Sequence, residues 1–179
     1  MNKKGFTLIE LLATITILSM LMLVAVPNIM STLDKSKRRT YIEDAKKMIS
    51  LTEYKIRSDT TIELPTSSNT AVAFQLSSLD LTDFSKGPEG GQYDLSRSYV
   101  LVTKYNNKYI YYATLIEKYG TASSSKYRGV DAIDYNTLLS ENAVNNIKDF
   151  KASSLPAVPT VGGEKLVAST RVAVTKVFS

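Results

Sequence analysis

A long apolar run near the start of this 179-residue chain limits what the protein can be. Residues 6–30 read FTLIELLATITILSMLMLVAVPNIM, with Glu10 as the one charged side chain. A helix of that length would extend about 38 Å, enough to cross a hydrocarbon core about 30 Å thick. The run is long for a removable signal peptide, and it ends at Val24–Pro27 without a small-x-small cleavage site. We therefore predict that the segment is a membrane anchor.

Glu10 is unusual inside such an anchor. A carboxylate in a membrane helix costs about 3 kcal/mol, and residues of this kind are usually functional and paired. The leader in front of the run, Met1–Gly5, is short and carries two cations, Lys3 and Lys4. A plain signal anchor would explain the length of the run but would leave Glu10 without a reason.

The residues Lys4-Gly5-Phe6-Thr7-Leu8-Ile9-Glu10 resemble the cleavage and methylation motif of type IV prepilins and the related pseudopilins. The similarity extends to Pro27, where related pilins also carry a proline. The resemblance implies that a prepilin peptidase cuts after Gly5 and methylates the new amine of Phe6. It also implies that the apolar segment anchors the subunit in the membrane before assembly and forms the filament core afterwards.

The chemistry of this motif predicts a role in assembly. After cleavage the chain would begin with the charged amine of Phe6, four residues before Glu10, on the same face of a helix. The Glu10 carboxylate could then neutralise a Phe6 amine within one chain or between neighbouring chains. Loss of either partner in an apolar core would cost about 3–5 kcal/mol. We therefore predict Phe6 and Glu10 as the residues that direct assembly.

The helix is expected to continue beyond the apolar run to about Arg57. Pro27 predicts a kink or local melting of the helix, because proline removes one intrahelical hydrogen bond. Apolar positions at spacings of three and four then predict an amphipathic helix; they are Tyr41, Ile42, Ala45, Met48, Ile49, Thr52 and Ile56. We expect a leader at 1–5, a transmembrane and filament-core helix at 6–30, an amphipathic helix at 31–57 and a globular head at 58–179.

The head is predicted to contain a small antiparallel sheet. Ser98–Tyr105 and Lys108–Ile116 flank Asn106-Asn107, which predicts a hairpin that places Tyr105 opposite Lys108. Arg171–Phe178, and with it Lys165–Ser169, would extend the sheet. The predicted fold class is therefore α+β, with a long N-terminal helix packed on an antiparallel sheet, as in the pilin fold that the motif implies.

Other parts of the head have weaker patterns. We predict a short helix at Ala71–Asp80, a turn-dense structural loop at Ser85–Asp94 and a flexible, exposed loop at Gly120–Gly129. Short helices are expected within Val130–Phe150, and Ser153–Gly163 is expected to be irregular. The basic run Lys35, Lys37, Arg38 and Arg39 predicts a solvated or headgroup-contacting face, or contacts to acidic patches on neighbouring subunits. We predict no specific nucleic-acid binding, because the run is short and lacks interleaved aromatic residues.

Composition excludes many catalytic sites. The chain has no His and no Cys, which excludes Ser-His and Cys-His catalytic pairs, imidazole or thiolate metal sites and disulfides. Asp131, Asp134, Glu141 and Asn142 could supply oxygen ligands to calcium, but their spacing matches no calcium-binding loop. We predict no catalytic residue, cofactor or metal, and hence no enzyme. Many Gram-negative pilins close a C-terminal loop with a disulfide, so the lack of Cys favours a Gram-positive source.

These observations lead to a structural subunit of a type IV pilus for surface adhesion or twitching motility. Its expected partners are other pilin subunits, prepilin peptidase and the pilus assembly machinery. The expected location is the cytoplasmic membrane before assembly and the extracellular pilus afterwards. One alternative is a minor pilin, or a pseudopilin of a type II secretion or DNA-uptake machine. A second is a signal-anchored binding domain that carries the motif by coincidence.

Overall fold

A computed structural model describes residues 7–82 and 84–179. The first element, α1, is a helix over Leu8–Ser58, and the chain divides into two compact units with a boundary after Ser36. In the first unit, the described residues from Leu8 onward are helical and nearly all exposed. The helix is continuous through Pro27, so a kink or melting at Pro27 stays a prediction.

The second unit uses the remaining part of α1 as one side of its core. The predicted amphipathic face is confirmed, because Tyr41, Ile42, Ala45, Met48, Ile49 and Thr52 are all buried. Ile56, at the end of the same face, is partly buried against this core. The spacing of three and four therefore identified the buried face of the helix.

The head is built on one mixed sheet. Its strands are β1 (Thr70–Gln75), β2 (Gln92–Tyr93), β3 (Tyr99–Tyr105), β4 (Lys108–Thr121), β5 (Ser124–Asp134), β6 (Lys148–Phe150), β7 (Glu164–Val167) and β8 (Thr170–Phe178). The strand order is β6-β5-β4-β3-β1-β8-β7, and β2 pairs with β4. The predicted α+β class with a long helix on a sheet is confirmed. The sheet is not purely antiparallel, since β1 and β8 run parallel.

The predicted hairpin between β3 and β4 is confirmed in position and register. Tyr105 pairs with Lys108, and Leu101 pairs with Tyr112. The two turn residues have positive φ, 47° at Asn106 and 62° at Asn107. Asparagine tolerates this conformation, which matches the right-handed twist of the flanking strands. The late strands β7 and β8 also lie where the sequence predicted them.

The short helix predicted at Ala71–Asp80 is wrong, because this segment forms β1 and then a short 3-10 turn at Leu76–Ser78. β1 is a central strand between β3 and β8. Both of its faces are covered, with Val72 and Phe74 in the core that includes α1 and Ala71 and Ala73 in the core on the opposite face. A strand buried on both faces has no polar alternation, so its pattern cannot be distinguished from that of a buried helix.

The loop predicted at Gly120–Gly129 is also wrong, although the residues up to Lys126 are mostly exposed, as predicted. β4 and β5 extend through this segment and leave only Ala122 and Ser123 in the turn. Two glycines of this segment meet backbone constraints that a larger residue would not. Gly120 has φ of +94°, and a Cβ on Gly129 would lie 1.9 Å from the backbone oxygen of Leu115. Glycine at position 129 therefore permits a close approach of two paired strands.

The region after β5 matches its predicted helices in part. A short helix, α2, covers Tyr135–Leu139, and a 3-10 turn covers Ala143–Asn146. Asp134 caps α2, since its carboxylate accepts a hydrogen bond from the Thr137 N–H at 3.1 Å. β5 and β6 occupy the two ends of the segment that was expected to be helical. From residue 151 to 163 the chain is mostly irregular, as predicted.

Candidate processing and assembly site

The N-terminal end of α1 is closed by a reciprocal pair of hydrogen bonds between Thr7 and Glu10. The Thr7 backbone N–H donates to Glu10 Oε2 at 2.8 Å, and the Glu10 backbone N–H donates to Thr7 Oγ1 at 3.3 Å. The Leu11 N–H donates to the Thr7 carbonyl at 3.2 Å, which begins the helical ladder. This arrangement is a capping box with Thr7 as the N-cap residue. Glu10 thus has a local partner at the helix end.

Two of the predicted site residues, Gly5 and Phe6, lie outside the described residues. Cleavage after Gly5, methylation of Phe6 and a pair between Phe6 and Glu10 therefore stay predictions. The structure does describe the chain from Thr7, two residues after the predicted cleavage point.

The first unit exposes a continuous apolar surface. Leu8 is 86% exposed, Leu23 is 80% exposed and even Val26 is 48% exposed. Among the described residues, α1 is the one helix long and apolar enough to cross a membrane. An apolar surface of this extent requires lipid or other protein to cover it.

Five polar side chains of this segment bond to the helix that carries them. Each hydroxyl or amide donates to a backbone carbonyl three or four residues earlier; the pairs are Thr14 to Leu11, Thr16 to Leu12, Ser19 to Ile15, Asn28 to Val24 and Thr32 to Asn28. Polar groups in hydrocarbon must find such partners within the protein. These residues therefore do not prevent the helix from entering an apolar environment.

In the second unit, the turn-dense loop closes on a buried carboxylate. Glu117 on β4 is fully buried and accepts hydrogen bonds from the Tyr41 hydroxyl, the Glu89 N–H at 3.1 Å and the Gly91 N–H at 2.7 Å. A Cβ on Gly87 would lie 2.2 Å from the Glu117 carboxyl carbon. The backbone N–H groups of the glycine-rich loop therefore bind the Glu117 carboxylate, a side chain of the same protein.

A second carboxylate in this loop links α1 to β5. Glu89 accepts hydrogen bonds from Lys37 Nζ and from Arg128 Nη1, both at 2.7 Å. Burial alone would raise the pKa of Glu89, but the hydrogen bonds and charges of Lys37 and Arg128 outweigh burial and hold the pKa below its usual 4.5. We name the group formed by Lys37, Tyr41, Glu89, Glu117 and Arg128 the loop clasp.

The basic run does not form a uniform solvated face. Lys37 belongs to the loop clasp, and Arg38 Nη1 donates to the carbonyls of Val144 at 3.3 Å and Ile147 at 3.2 Å. Lys35 and Arg39 are exposed. The predicted role as a solvated face is therefore wrong for Lys37 and Arg38, which bond within the head.

Two tyrosines beside the loop clasp remain hydrogen-bond donors. Burial, followed by the hydrogen bond to Glu117, raises the pKa of Tyr41 far above its usual value. Burial and a hydrogen bond to Asp44 raise the pKa of Tyr93 in the same way. Burial also raises the pKa of Asp44, although the Tyr93 hydroxyl partly opposes this shift. The two hydroxyls therefore stay protonated and tie α1 to β4 and β2.

Glu117 was not predicted from the sequence, although the alternation of residues along β4 indicates that its side chain points into the core. Ala113, Leu115 and Glu117 alternate along β4 at a period of two, so they share one face of the strand. Ala113 and Leu115 lie in the core that includes α1. The strand was expected to end at Ile116, which left the inward orientation of Glu117 unnoticed.

The loop clasp predicts a pH dependence of stability. Because the pKa of Glu89 is lowered by folding, its stabilising contribution is complete above its usual value of 4.5 and is lost as the pH falls through the lower, folded-state value. The raised pKa of Asp44 acts in the opposite direction. We expect thermal unfolding of the full-length protein in detergent to lose less stability below about pH 4.5 in Glu89→Gln than in the unaltered protein. Parallel pH profiles of the two proteins would contradict this.

The acidic residues weighed as calcium ligands have other partners. Asp131 Oδ1 lies 3.6 Å from Lys165 Nζ, and Asp134 caps α2. Over residues 7–82 and 84–179, no group of three or more Asp or Glu side chains is arranged to hold a metal ion.

Comparison with known families gives a decisive match at the N-terminus. Residues 1–26 match the family model described as the prokaryotic N-terminal methylation motif. Its N-terminal segment is therefore that of a type IV pilin-like protein. No curated protein and no solved structure gave a significant match. The motif implies processing of this pilin-like protein by a prepilin peptidase and assembly with other subunits, and it points to a structural protein rather than an enzyme.

Proposed function

We propose that this pilin-like protein is a structural subunit of a type IV pilus, which is cut after Gly5, methylated at Phe6 and polymerised through the apolar part of α1. The methylation motif over residues 1–26 is the observation that carries the proposal. The exposed apolar surface that begins at Leu8 supports it, because the surface needs lipid before assembly and sister helices afterwards.

The size of the head favours a pilus subunit over a minimal pseudopilin. Beyond Tyr119 the chain still provides all of β5, β6, β7 and β8. We place the subunit in a filament used for surface adhesion or twitching motility. Before assembly it is anchored in the cytoplasmic membrane, where prepilin peptidase and the assembly machinery are its partners. In the filament, on the cell surface, its partners are other pilin subunits.

Mass spectrometry of the protein from cells tests the proposal. We expect the mature chain to begin at Phe6 and to carry one added methyl group on its amine. In a strain without prepilin peptidase, the chain should retain residues 1–5. An unprocessed chain in cells that have an active peptidase would contradict the proposal, since the subunit could not then enter a filament by this route.

The sheared surface fraction separates the possible roles. A major pilus subunit should dominate the protein recovered from sheared filaments. A minor pilin should appear there at a low ratio to another subunit. A pseudopilin should stay with the cell envelope, and its deletion should impair secretion or DNA uptake without loss of surface filaments.

A further inference from the structure

The sheet of the head curls around the face that is turned away from α1. Lys165 on β7 and Asp131 on β5 place their Nζ and Oδ1 atoms 3.6 Å apart. Four strands lie between β7 and β5 in the sheet, so in a flat sheet the two strands would be about 24 Å apart. The two ends of the sheet therefore approach each other and make this face concave.

A cavity of about 420 Å³ opens on the concave face, between the β3–β4 hairpin and the β7–β8 hairpin. β3 continues to Tyr105, two residues beyond its last partner in β1, and β8 begins at Thr170, three residues before its first partner in β1. The two hairpins thus project beyond the start of β1 and leave a space between them. Its volume falls within the range of about 300–1,000 Å³ that is typical of small-molecule sites.

The wall of this cavity is mainly apolar and aromatic; its members are Tyr105, Ile110, Tyr112, Val167 and Val172. Val167 and Val172 are buried at its base, whereas Tyr105 is 57% exposed at its rim. Among the described residues that line the cavity, none is acidic. Lys104 also lines it, but Lys104 Nζ lies 5.9 Å from the centre of the Tyr109 ring. By strand alternation that ring is on the α1 side of the sheet, so the cavity itself is uncharged.

Tyr112 supplies a polar group that the fold does not use. Its side chain is only 8% exposed, yet its hydroxyl makes no hydrogen bond within the part of the chain that the structure describes. Burial raises the pKa of Tyr112 above its usual 10.0, so the hydroxyl stays protonated and can donate. The rim hydroxyls of Ser68 and Thr170 likewise have no hydrogen-bond partner among residues 7–82 and 84–179. A buried donor of this kind is stabilised when a ligand accepts from it.

We propose that this cavity is a binding site for a neutral carbohydrate, with Tyr105 as the stacking surface and Tyr112 as the hydrogen-bond donor at the base. A sugar ring has an apolar face of C–H groups that can pack on an aromatic ring, and its hydroxyls both donate and accept hydrogen bonds. An uncharged wall gives an anionic sugar no advantage. The use of the site in adhesion rests on the proposed function, whereas the binding itself does not.

The test is an NMR titration of the full-length protein in a detergent without a sugar headgroup, such as dodecylphosphocholine. Lactose, maltose and diacetylchitobiose are the neutral probes, and sialic acid and trivaline are the anionic and peptide probes. We expect at least one neutral disaccharide to bind with a Kd of about 1 mM. Tyr112→Phe should weaken this binding about fivefold by removing one hydrogen bond. Tyr105→Ala should weaken it by about fivefold or more through the loss of the stacking ring.

Tyr109→Ala is the matched control, because it removes a partly exposed tyrosine of the same hairpin from the opposite face of the sheet. It should bind the sugar normally. Absence of binding by all three neutral probes at about 20 mM would overturn the inference. So would tighter binding of sialic acid or trivaline, or binding that Tyr112→Phe and Tyr105→Ala leave unchanged. None of these results would affect the proposed function, which depends on processing after Gly5.

Discussion

Glu10→Ala in the full-length protein is expected to abolish incorporation into filaments while the head remains folded. In a filament core, removal of the carboxylate would leave a Phe6 amine buried without a partner, at a cost of about 3–5 kcal/mol. This corresponds to a loss of at least about 100-fold in the assembly equilibrium. The fraction of the protein recovered in sheared filaments measures the effect. The head should be unaffected, because its core is built from residues of the second unit, Lys37–Ser179.

Two further variants test whether the loss of assembly in Glu10→Ala is due to the loss of the carboxylate charge. Thr14→Ala removes a hydroxyl that donates to the Leu11 carbonyl of its own helix, and it should assemble normally. Glu10→Gln should be processed but should assemble as poorly as Glu10→Ala, since it keeps the capping box and loses the charge. Recovery of Glu10→Ala in filaments at the normal level would show that the charge has no part in assembly.

Glu117→Ala is expected to destabilise the head by about 3–5 kcal/mol, the largest stability effect in the loop clasp. The fully buried carboxylate accepts hydrogen bonds from the Tyr41 hydroxyl and from the N–H groups of Glu89 and Gly91. Alanine would leave these donors without an acceptor and would add a cavity between the loop and β4. Thermal or denaturant unfolding of the full-length protein in detergent measures the loss.

The matched control for Glu117 is another glutamate of the same unit. The Glu43 side chain is 68% exposed and lies 2.9 Å from Lys46 on the surface of α1. Exposed pairs of this kind contribute little, so Glu43→Ala should change the free energy of unfolding by less than about 0.5 kcal/mol. If the two variants unfolded alike, Glu117 would not hold the loop.

The parts of the fold that the sequence predicted correctly depend on local patterns. The hairpin at Asn106-Asn107 was predictable because its turn residues tolerate positive φ and its flanking strands fix the register. The buried face of α1 was predictable because helical spacing places Tyr41, Ala45 and Met48 on one side. The cleavage motif is likewise contiguous in the sequence, so Gly5, Phe6 and Glu10 could be proposed before the fold was known.

The predictions that failed depend on distant partners. β1 is a strand because β3 and β8 pair with it on both sides, and no residue near Val72 indicates this. The segment around Gly120 is ordered by pairing between β4 and β5, although its composition is typical of a loop. The loop clasp joins Lys37, Glu89 and Arg128, which lie far apart in the sequence. Only the folded chain brings them together.

Because β1 pairs in parallel with β8, β1 lacks one of its neighbours until nearly the whole chain has been synthesised. A ribosome that adds about 5–20 residues per second finishes residues 70–75 roughly 5–20 s before residues 170–178. Until β8 is made, this apolar central strand has at least one unpaired edge, and such an edge invites aggregation. We therefore expect nascent chains to need a chaperone until translation reaches Phe178, and fragments released early by stalled ribosomes to be degraded.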